Sequence, residues 1–286
     1  QREILFIAAE PLTDALNLEA GNRFTFRMRP STYMQTAMLV EEAKELDAER
    51  WAVIVPNYEY GQAAARAFAE LIESAMPAAR IVVEQFPALG KIDAGATIAA
   101  IERARPDAIF NALFGGDLAK FVREGSIRGT FEGRPVLSLL TGEPEWLYPL
   151  GEEVPEGWIV TGYPWEQIED PAHVAFVAAY QARWDGEAPR LASILGYAIG
   201  YTIRDMLEEA GSTDREAMIT ALETIEVATP QGPVSFRAID NQATAGTWVG
   251  TLTLGDDGLG TMRDWHYADG TPYLLPEERV RAVRND

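Results

Sequence analysis

The feature that most constrains the fold is a regular alternation of short apolar runs with amphipathic stretches over about the first 160 residues. The short runs are typical of buried strands, and the longer stretches place apolar residues at helical spacing. Ala64, Phe68 and Leu71, for example, share one helix face. The predicted strands are Ile4–Ala8, Trp51–Val55, Ile81–Gln85, Ala108–Ala112, Val136–Leu140 and Trp158–Thr161, and the predicted helices are Met34–Leu46, Gln62–Ala75, Ile92–Ala104 and Asp117–Gly125. This alternation predicts an α/β fold with a parallel sheet flanked by helices.

The second half of the chain begins helical and ends as β-structure. Asp170 and Pro171 can start a helix that runs to Trp184, and Gly211 can end the helix Leu191–Ala210. Thr213 and Glu216 have the spacing of a capping box for a third helix. The later segments are predicted strands, at Val234–Phe236, Thr247–Leu254 and Met262–Tyr267, and the tail after Pro276 is polar. We therefore expect the tail to pack loosely.

The size of the chain suits two lobes better than one core. It has 286 residues, of which 47% are hydrophobic and 24% charged, so it is not of the disordered class. No run approaches the roughly 18 apolar residues that a membrane-spanning helix needs. No secretion signal is visible, because the chain opens on the first predicted strand.

The charge and the missing residue types exclude several functions. A net charge of -20 repels phosphate backbones, so nucleic acid is not a predicted partner. Without cysteine there are no disulfides, thiolate zinc sites or cysteine nucleophiles. His173 and His266 lie far apart, and no phosphate-binding, dinucleotide-binding or serine-hydrolase motif is present. We therefore expect no metal, no cofactor and no catalytic residue.

Three extended segments have the character of crossings between lobes. They are residues 24–30, 161–165 and 232–236, and each is rich in proline, aromatic or β-branched residues. A chain that passes repeatedly between two α/β lobes makes a hinged cleft, which is a natural site for a small ligand.

Five local motifs, in order along the chain, resemble the type I periplasmic solute-binding proteins, specifically the Leu/Ile/Val-binding family. They are FRMRPS at Phe26–Ser31, YEYGQ at Tyr58–Gln62 after the strand 51–55, RPDAI at Arg105–Ile109 followed by FGG at Phe114–Gly116, GWIVT at Gly157–Thr161, and TPQGPVSF at Thr229–Phe236. They span most of the chain.

The resemblance implies a two-lobed fold with three hinge crossings. Residues 1–28 and 165–233 are expected in lobe one, and residues 29–162 and 234–286 in lobe two. The family's earlier βα units have no counterpart here, so lobe one is expected to be incomplete. The implied function is an exported, periplasmic receptor that delivers a small ligand to the permease of an ABC transporter, and a monomer is expected.

The resemblance also assigns ligand-binding residues in the second lobe. Tyr60 matches the tyrosine that lines the cleft, and Glu143 matches the glutamate that holds a ligand ammonium group, with Glu145 as a competing candidate. Phe114 can supply an aromatic wall. Asp117 stands where amino-acid-binding members usually have a tyrosine, so it is either a ligand-binding departure from the pattern or a cap of the following helix.

Further candidates lie in lobe one and near a crossing. Ala8, Glu10 and Thr13 fall where the family holds the ligand carboxylate, and Glu10 would favour a polar or cationic ligand. Trp165 at a predicted crossing can stack on a ligand or pack the hinge. The loop 237–244 is better explained by an Arg237–Asp240 pair that stabilises it.

Three functions remain to be distinguished. The first is a receptor for an amino acid, a related amine or amide, or an aromatic acid. The second is a ligand-sensing module of the same fold that controls a regulator or receptor, because a fold alone does not fix function. The third, an α/β hydrolase, would need a nucleophile and a base that the sequence does not offer.

Overall fold

A computed structural model describes residues 3–284 of the chain. Residues 1, 2, 285 and 286, which the domain prediction includes, lie outside the described residues. In chain order the strands are β1 (Phe6–Ala8), β2 (Thr25–Arg27), β3 (Arg50–Ile54), β4 (Arg80–Gln85), β5 (Ala108–Asn111), β6 (Val136–Gly142), β7 (Ile159–Gly162), β8 (Glu226–Thr229), β9 (Gly232–Arg237), β10 (Gln242–Ala243), β11 (Thr247–Leu254) and β12 (Gly260–Ala268). The α-helices are α1 (Thr32–Ala43), α2 (Glu59–Ala75), α3 (Ala94–Ala104), α4 (Gly115–Ile127), α5 (Pro144–Leu147), α6 (Pro171–Arg183), α7 (Leu191–Ala210), α8 (Arg215–Thr224) and α9 (Glu277–Val283).

The described chain divides into two compact units. The first contains residues 3–34, 165–247 and 269–284, and the second contains residues 35–164 and 248–268. The chain therefore passes between the units four times, once more than predicted. Of the three predicted crossings, only 161–165 contains such a passage, because 24–30 holds β2 and 232–236 lies within β9.

The division into units differs from the predicted lobes at the end of the chain. Residues 234–247 and 269–284 were expected in the second lobe, and both segments belong to the first unit. Hydrogen bonding explains the difference, because β9 pairs with β10 and β10 pairs with β2. Gly270 lies so close to residues 244 and 245 that an added Cβ would stand 2.2 Å from the Ala245 carbonyl oxygen.

The second unit is built on a seven-stranded sheet with the order β12-β11-β7-β6-β5-β3-β4. Strands β3 to β7 run parallel, and β11 pairs antiparallel with β7. Every residue of β5 and β6 is buried, as the continuous apolar runs predict for a sheet covered on both faces. The rings of Phe68 on α2 and Phe110 on β5 stack at 4.2 Å in the core of this unit.

The first unit has a five-stranded sheet with the order β1-β2-β10-β9-β8. Strand β1 lies at its edge, where Phe6 is 52% exposed. The predicted Arg237–Asp240 pair is present: the Arg237 Nε donates to Asp240 at 3.0 Å, and its Nη1 donates to the Leu275 carbonyl at 2.8 Å. The tail after Pro276 was expected to pack loosely, but it forms α9, in which Val280 is fully buried.

Most predicted strands and helices match the structure to within a few residues. Of the two predicted helix caps, one is present and the other lies one residue later. Asp170 accepts from the backbone N–H groups of Ala172 and His173, as predicted. The helix predicted to start at Thr213 is capped instead by Asp214, whose carboxylate accepts from the Ala217 N–H at 3.1 Å. The cap therefore lies one residue later than predicted and satisfies the Ala217 N–H instead of the Glu216 N–H, a difference that spacing alone does not resolve.

The outer faces of α6 and α7 are unusually apolar. Among their exposed side chains are Val174, Tyr197, Ile203 and Leu207, with exposures between 37% and 52%. Gly196 on α7 has no atom within 4 Å of the position a Cβ would take. These helices therefore present an apolar surface on a chain that is otherwise strongly acidic.

The two histidines have different surroundings. His173 in the first turn of α6 is 0% exposed, whereas the side chain of His266 is 55% exposed. Burial lowers the pKa of His173, although a hydrogen bond to the Ile168 backbone and the charge of Asp170 oppose the shift. The unfolded chain therefore takes up a proton at a higher pH than the folded chain does.

We expect the stability of the protein to fall as the pH drops through the range just below 6.5, the ordinary pKa of histidine. In that window the unfolded state binds more protons than the folded state, so the free energy of unfolding decreases with decreasing pH. Urea unfolding at several pH values between about 8 and 5 measures this slope. The variant His173→Gln should have a shallower slope, and equal slopes for the two proteins would refute the role of His173.

Candidate functional site

The site is built where parallel strands of the second unit end. Ligands of open α/β sheets bind beyond the carboxyl ends of the strands, because the loops that follow neighbouring strands meet at that edge. The loops after β3, β5, β6 and β7 carry Tyr58, Phe114, Glu143 and Tyr163 respectively. The sheet order β7-β6-β5-β3 makes these loops consecutive along the edge.

The loop after β3 turns sharply into α2. A Cβ added to Gly61 would lie 2.0 Å from the Pro56 carbonyl oxygen, so only glycine allows the first turn of α2 to pack on this loop. The turn places Tyr58 and Tyr60 together, with ring centroids 5.8 Å apart. Tyr60 is buried, and Tyr58 is 37% exposed.

The loop after β5 brings a third ring against this pair. Phe114 precedes α4, and Gly115 adopts a φ of +57°, a left-handed conformation that suits glycine. The Phe114 ring lies 6.1 Å from Tyr60 and 5.3 Å from Trp146 on α5. Tyr58, Tyr60, Phe114 and Trp146 form a continuous group of rings, which we call the aromatic wall.

The end of β6 is irregular, and a buried polar network holds it in place. Leu140 has a φ of +67°, and the pairing of β6 with β7 shifts register between Ser138 and Gly142. The Leu140 N–H donates to the Thr161 hydroxyl at 2.8 Å, and Ser138 and Thr141 share a 2.6 Å hydrogen bond. A non-glycine residue in the left-handed region is strained, and such strain is often stored at functional sites.

This irregular end of β6 places Glu143 at the same edge of the sheet as the aromatic wall. A Cβ added to Gly162 would lie 2.5 Å from the backbone of Gly142, so the two strands touch there. The Tyr163 N–H donates to the Gly142 carbonyl at 3.0 Å. Glu143 then precedes Pro144 at the start of α5, with 2% of its surface exposed.

Tyr163 forms a second aromatic contact at the same edge. Its ring lies 5.0 Å from Trp248, and Trp248 lies 5.2 Å from Tyr267. Burial, together with the nearby Glu145 and Tyr148, raises the pKa of the Tyr163 phenol well above its ordinary value. Tyr163 is therefore a neutral phenol at physiological pH.

Asp117 secures a neighbouring loop, and its predicted part in ligand binding stays a prediction. It is buried in the first turn of α4, and its carboxylate accepts from the N–H groups of Gly90 at 2.6 Å and Ile92 at 3.3 Å. These residues belong to the loop between β4 and α3. The carboxylate thus secures a neighbouring loop at the carboxyl edge instead of capping its own helix.

The remaining predicted residues belong to the first unit. Ala8 ends β1, and its carbonyl accepts from the Met28 N–H at 2.9 Å. Glu10 forms an ion pair with Arg29, so its charge is balanced within this unit. The Thr13 hydroxyl accepts from the Ala15 N–H at 3.2 Å, and the half-buried Trp165 begins a short 3-10 helix. Their part in ligand binding stays a prediction.

The sequence pattern identified some members of the aromatic wall and missed others. Tyr60 and Phe114 were named, and the structure places their rings next to each other. Tyr58 and Trp146 were not. Pro144 directly after Glu143 is a signal of a helix start, and a helix starting there brings Trp146 back toward the residues before it.

A family model described as a periplasmic binding protein matches residues 1–258 of the chain. The chain belongs to the periplasmic binding protein family. Members of this family bind solutes and are not enzymes. Family membership therefore confirms the prediction of a binding protein without catalytic residues. No match was found among curated protein sequences.

Solved structures share the fold. A Leu-, Ile-, Val-, Thr- and Ala-binding protein from Brucella ovis in a closed conformation is 20% identical, with a TM-score of 0.79 over 95% of this chain and 71% of that one. A solute-binding protein from Rhodopseudomonas palustris in complex with 4-hydroxybenzoate is 22% identical, with a TM-score of 0.79 over 93% of this chain and 73% of that one. The predicted α/β, two-lobed fold class is confirmed.

A second Rhodopseudomonas palustris solute-binding protein carries 3,4-dihydroxybenzoic acid. It is 19% identical, with a TM-score of 0.79 over 93% of this chain and 73% of that one. Likenesses at this level of identity describe the fold alone. Within residues 3–284 no helix has the length and apolar character needed to cross a membrane.

The variant Gly61→Ala tests how closely α2 packs on the loop after β3 in this periplasmic binding protein. We expect Gly61→Ala to lower the free energy of unfolding by about 1–3 kcal/mol, because the new methyl group would meet a backbone carbonyl that cannot turn aside. Gly196→Ala on α7 is the matched control, since nothing lies near its Cβ position, and it should stabilise the protein by up to about 1 kcal/mol. Urea unfolding compares the two, and a neutral Gly61→Ala would contradict the close packing of α2.

Proposed function

We propose that this protein is an extracytoplasmic solute-binding receptor that captures a small organic ligand and delivers it to the permease of an ABC-type transporter. Family membership supports solute binding, and the family is one of exported proteins. The ligand identity and the delivery step are part of the proposal.

The observation that carries the proposal is the aromatic wall, with the buried residue Glu143 at the same edge of the sheet. Tyr58, Phe114 and Trp146 are half-buried or exposed, so their faces are available to a ligand. Aromatic rings give a large apolar contact at small cost in side-chain entropy, and they stack on planar ligands. Glu143 follows β6 at the same edge, so it can supply a charge-assisted hydrogen bond to a cationic group.

Two ligand classes are compatible with this wall. An amino acid or related amine would place its ammonium group at Glu143 and its side chain on the rings. An aromatic acid would use the rings alone and would be repelled by the carboxylate. The absence of a tyrosine at position 117, where Asp117 holds a loop, removes one contact that amino-acid-binding relatives are expected to use.

Thermal unfolding against a panel of amino acids, aromatic amines, amides and hydroxybenzoates tests the proposal. A ligand present at 100 times its dissociation constant stabilises the folded state by about 2.7 kcal/mol, which raises the unfolding midpoint measurably. We expect one class to raise it and Phe114→Ala to reduce that shift. Trp184→Ala, an exposed aromatic of the first unit, is the control and should leave the shift unchanged.

Glu143→Gln separates the two ligand classes. If the ligand is an amine, this variant should lose most of the midpoint shift, because a neutral amide no longer attracts the ammonium group. If the ligand is an aromatic acid, the variant should keep or increase the shift. A panel in which no compound raises the midpoint would count against a receptor and in favour of a sensing module for another ligand.

A further inference from the structure

A cavity opens in the second unit, at the edge of the seven-stranded sheet opposite the aromatic wall. It has a volume of about 440 Å³ and is lined by residues that include Ser126, Phe131, Glu132, Gly133, Glu156 and Trp158. Residues 131–133 precede β6 and Trp158 precedes β7, so this cavity lies at the amino ends of the strands that carry the aromatic wall at their carboxyl ends. We call it the distal cavity.

Two aromatic rings make one wall of the distal cavity. The rings of Phe131 and Trp158 meet edge to face at 5.0 Å, and Phe121 beneath them lies 5.4 Å from Phe131. Gly125 on α4 allows this arrangement, because a Cβ there would come within 2.2 Å of the Phe131 ring. The rings are therefore held in place by the fold.

The charge of the distal cavity has one sign. Glu132 and Glu156 are exposed at its rim, and the residues that line it include no lysine or arginine. Glu156 accepts a hydrogen bond from the Thr253 hydroxyl at 3.2 Å. Carboxylates next to aromatic faces attract organic cations, through both charge and the ring quadrupole.

Trp158 supplies a buried hydrogen-bond donor at the distal cavity. It lines the cavity with only 2% of its surface exposed, and its indole N–H has no acceptor among residues 3–284. A buried donor without an acceptor costs about 1–3 kcal/mol. A ligand in the cavity can supply that acceptor.

We infer that the distal cavity binds a small organic cation that has an apolar or aromatic body and a hydroxyl or carbonyl oxygen. The ammonium group lies between Glu132 and Glu156, the body packs on Phe131 and Trp158, and the oxygen accepts from the Trp158 N–H. This site is separate from the aromatic wall and does not depend on the proposed receptor function.

Isothermal titration with tyramine, an aromatic amine with one hydroxyl group, tests the inference. We expect binding that the double variant Glu132→Gln/Glu156→Gln weakens by about fivefold or more, corresponding to roughly 1 kcal/mol for two exposed charges. Ser126→Phe, at an exposed position on α4 that lines the cavity, should abolish this binding by filling the space. 4-Hydroxyphenylacetate, with the opposite charge, should not bind there.

Glu143→Gln serves as the control for the other edge of the sheet. It should leave the distal binding intact, even where it removes tyramine from the aromatic wall. Phenethylamine, which lacks the hydroxyl group, should bind more weakly than tyramine to the native protein and equally well to Trp158→Phe. No binding of tyramine, or binding that both distal variants leave unchanged, would overturn the inference.

Discussion

The close contact between the backbones of β6 and β7 determines much of the second unit. Gly142 and Gly162 touch where the two strands end, and neither position has room for a side chain. The pairing of β6 with β7 shifts register before this contact and resumes at it, and Glu143 then leads into Pro144 at the start of α5. Trp146 on that helix then reaches Phe114 on the neighbouring loop. The segment that follows this glycine pair therefore carries a carboxylate and Trp146, one of the four rings of the aromatic wall.

Buried polar side chains near this contact provide hydrogen-bond partners where the pairing of β6 is irregular. A strand that leaves its ladder exposes backbone donors, and buried donors need partners. The Thr161 hydroxyl supplies one for Leu140, while Asn111, Ser138 and Thr141 hydrogen-bond to one another beneath the strand. Because each of these side chains serves another, replacing one of them leaves a buried polar group behind.

The regular parts of the fold could be predicted from the sequence, because they depend on periodicity. The runs at 51–55, 108–112 and 136–140 are strands of one parallel sheet, and α7 has the predicted bounds. Local spacing could not reveal the unit boundaries, since β10 has two residues and pairs with β2, which is far from it in sequence. The loop contact of Asp117 could not be predicted for a related reason: its hydrogen-bond partners, Gly90 and Ile92, are far from it in sequence.

The apolar outer faces of α6 and α7 have a consequence for the behaviour of the chain in solution. The net charge of -20 keeps copies of this chain apart at low salt, while the exposed Val174, Ile203 and Leu207 attract apolar partners at short range. Salt shortens the range of the repulsion from about 30 Å at 0.01 M to about 8 Å at physiological ionic strength, and it leaves the apolar attraction in place. Colloidal stability of this acidic chain therefore decreases as salt is added, and dilute buffer is the condition in which its copies stay dispersed.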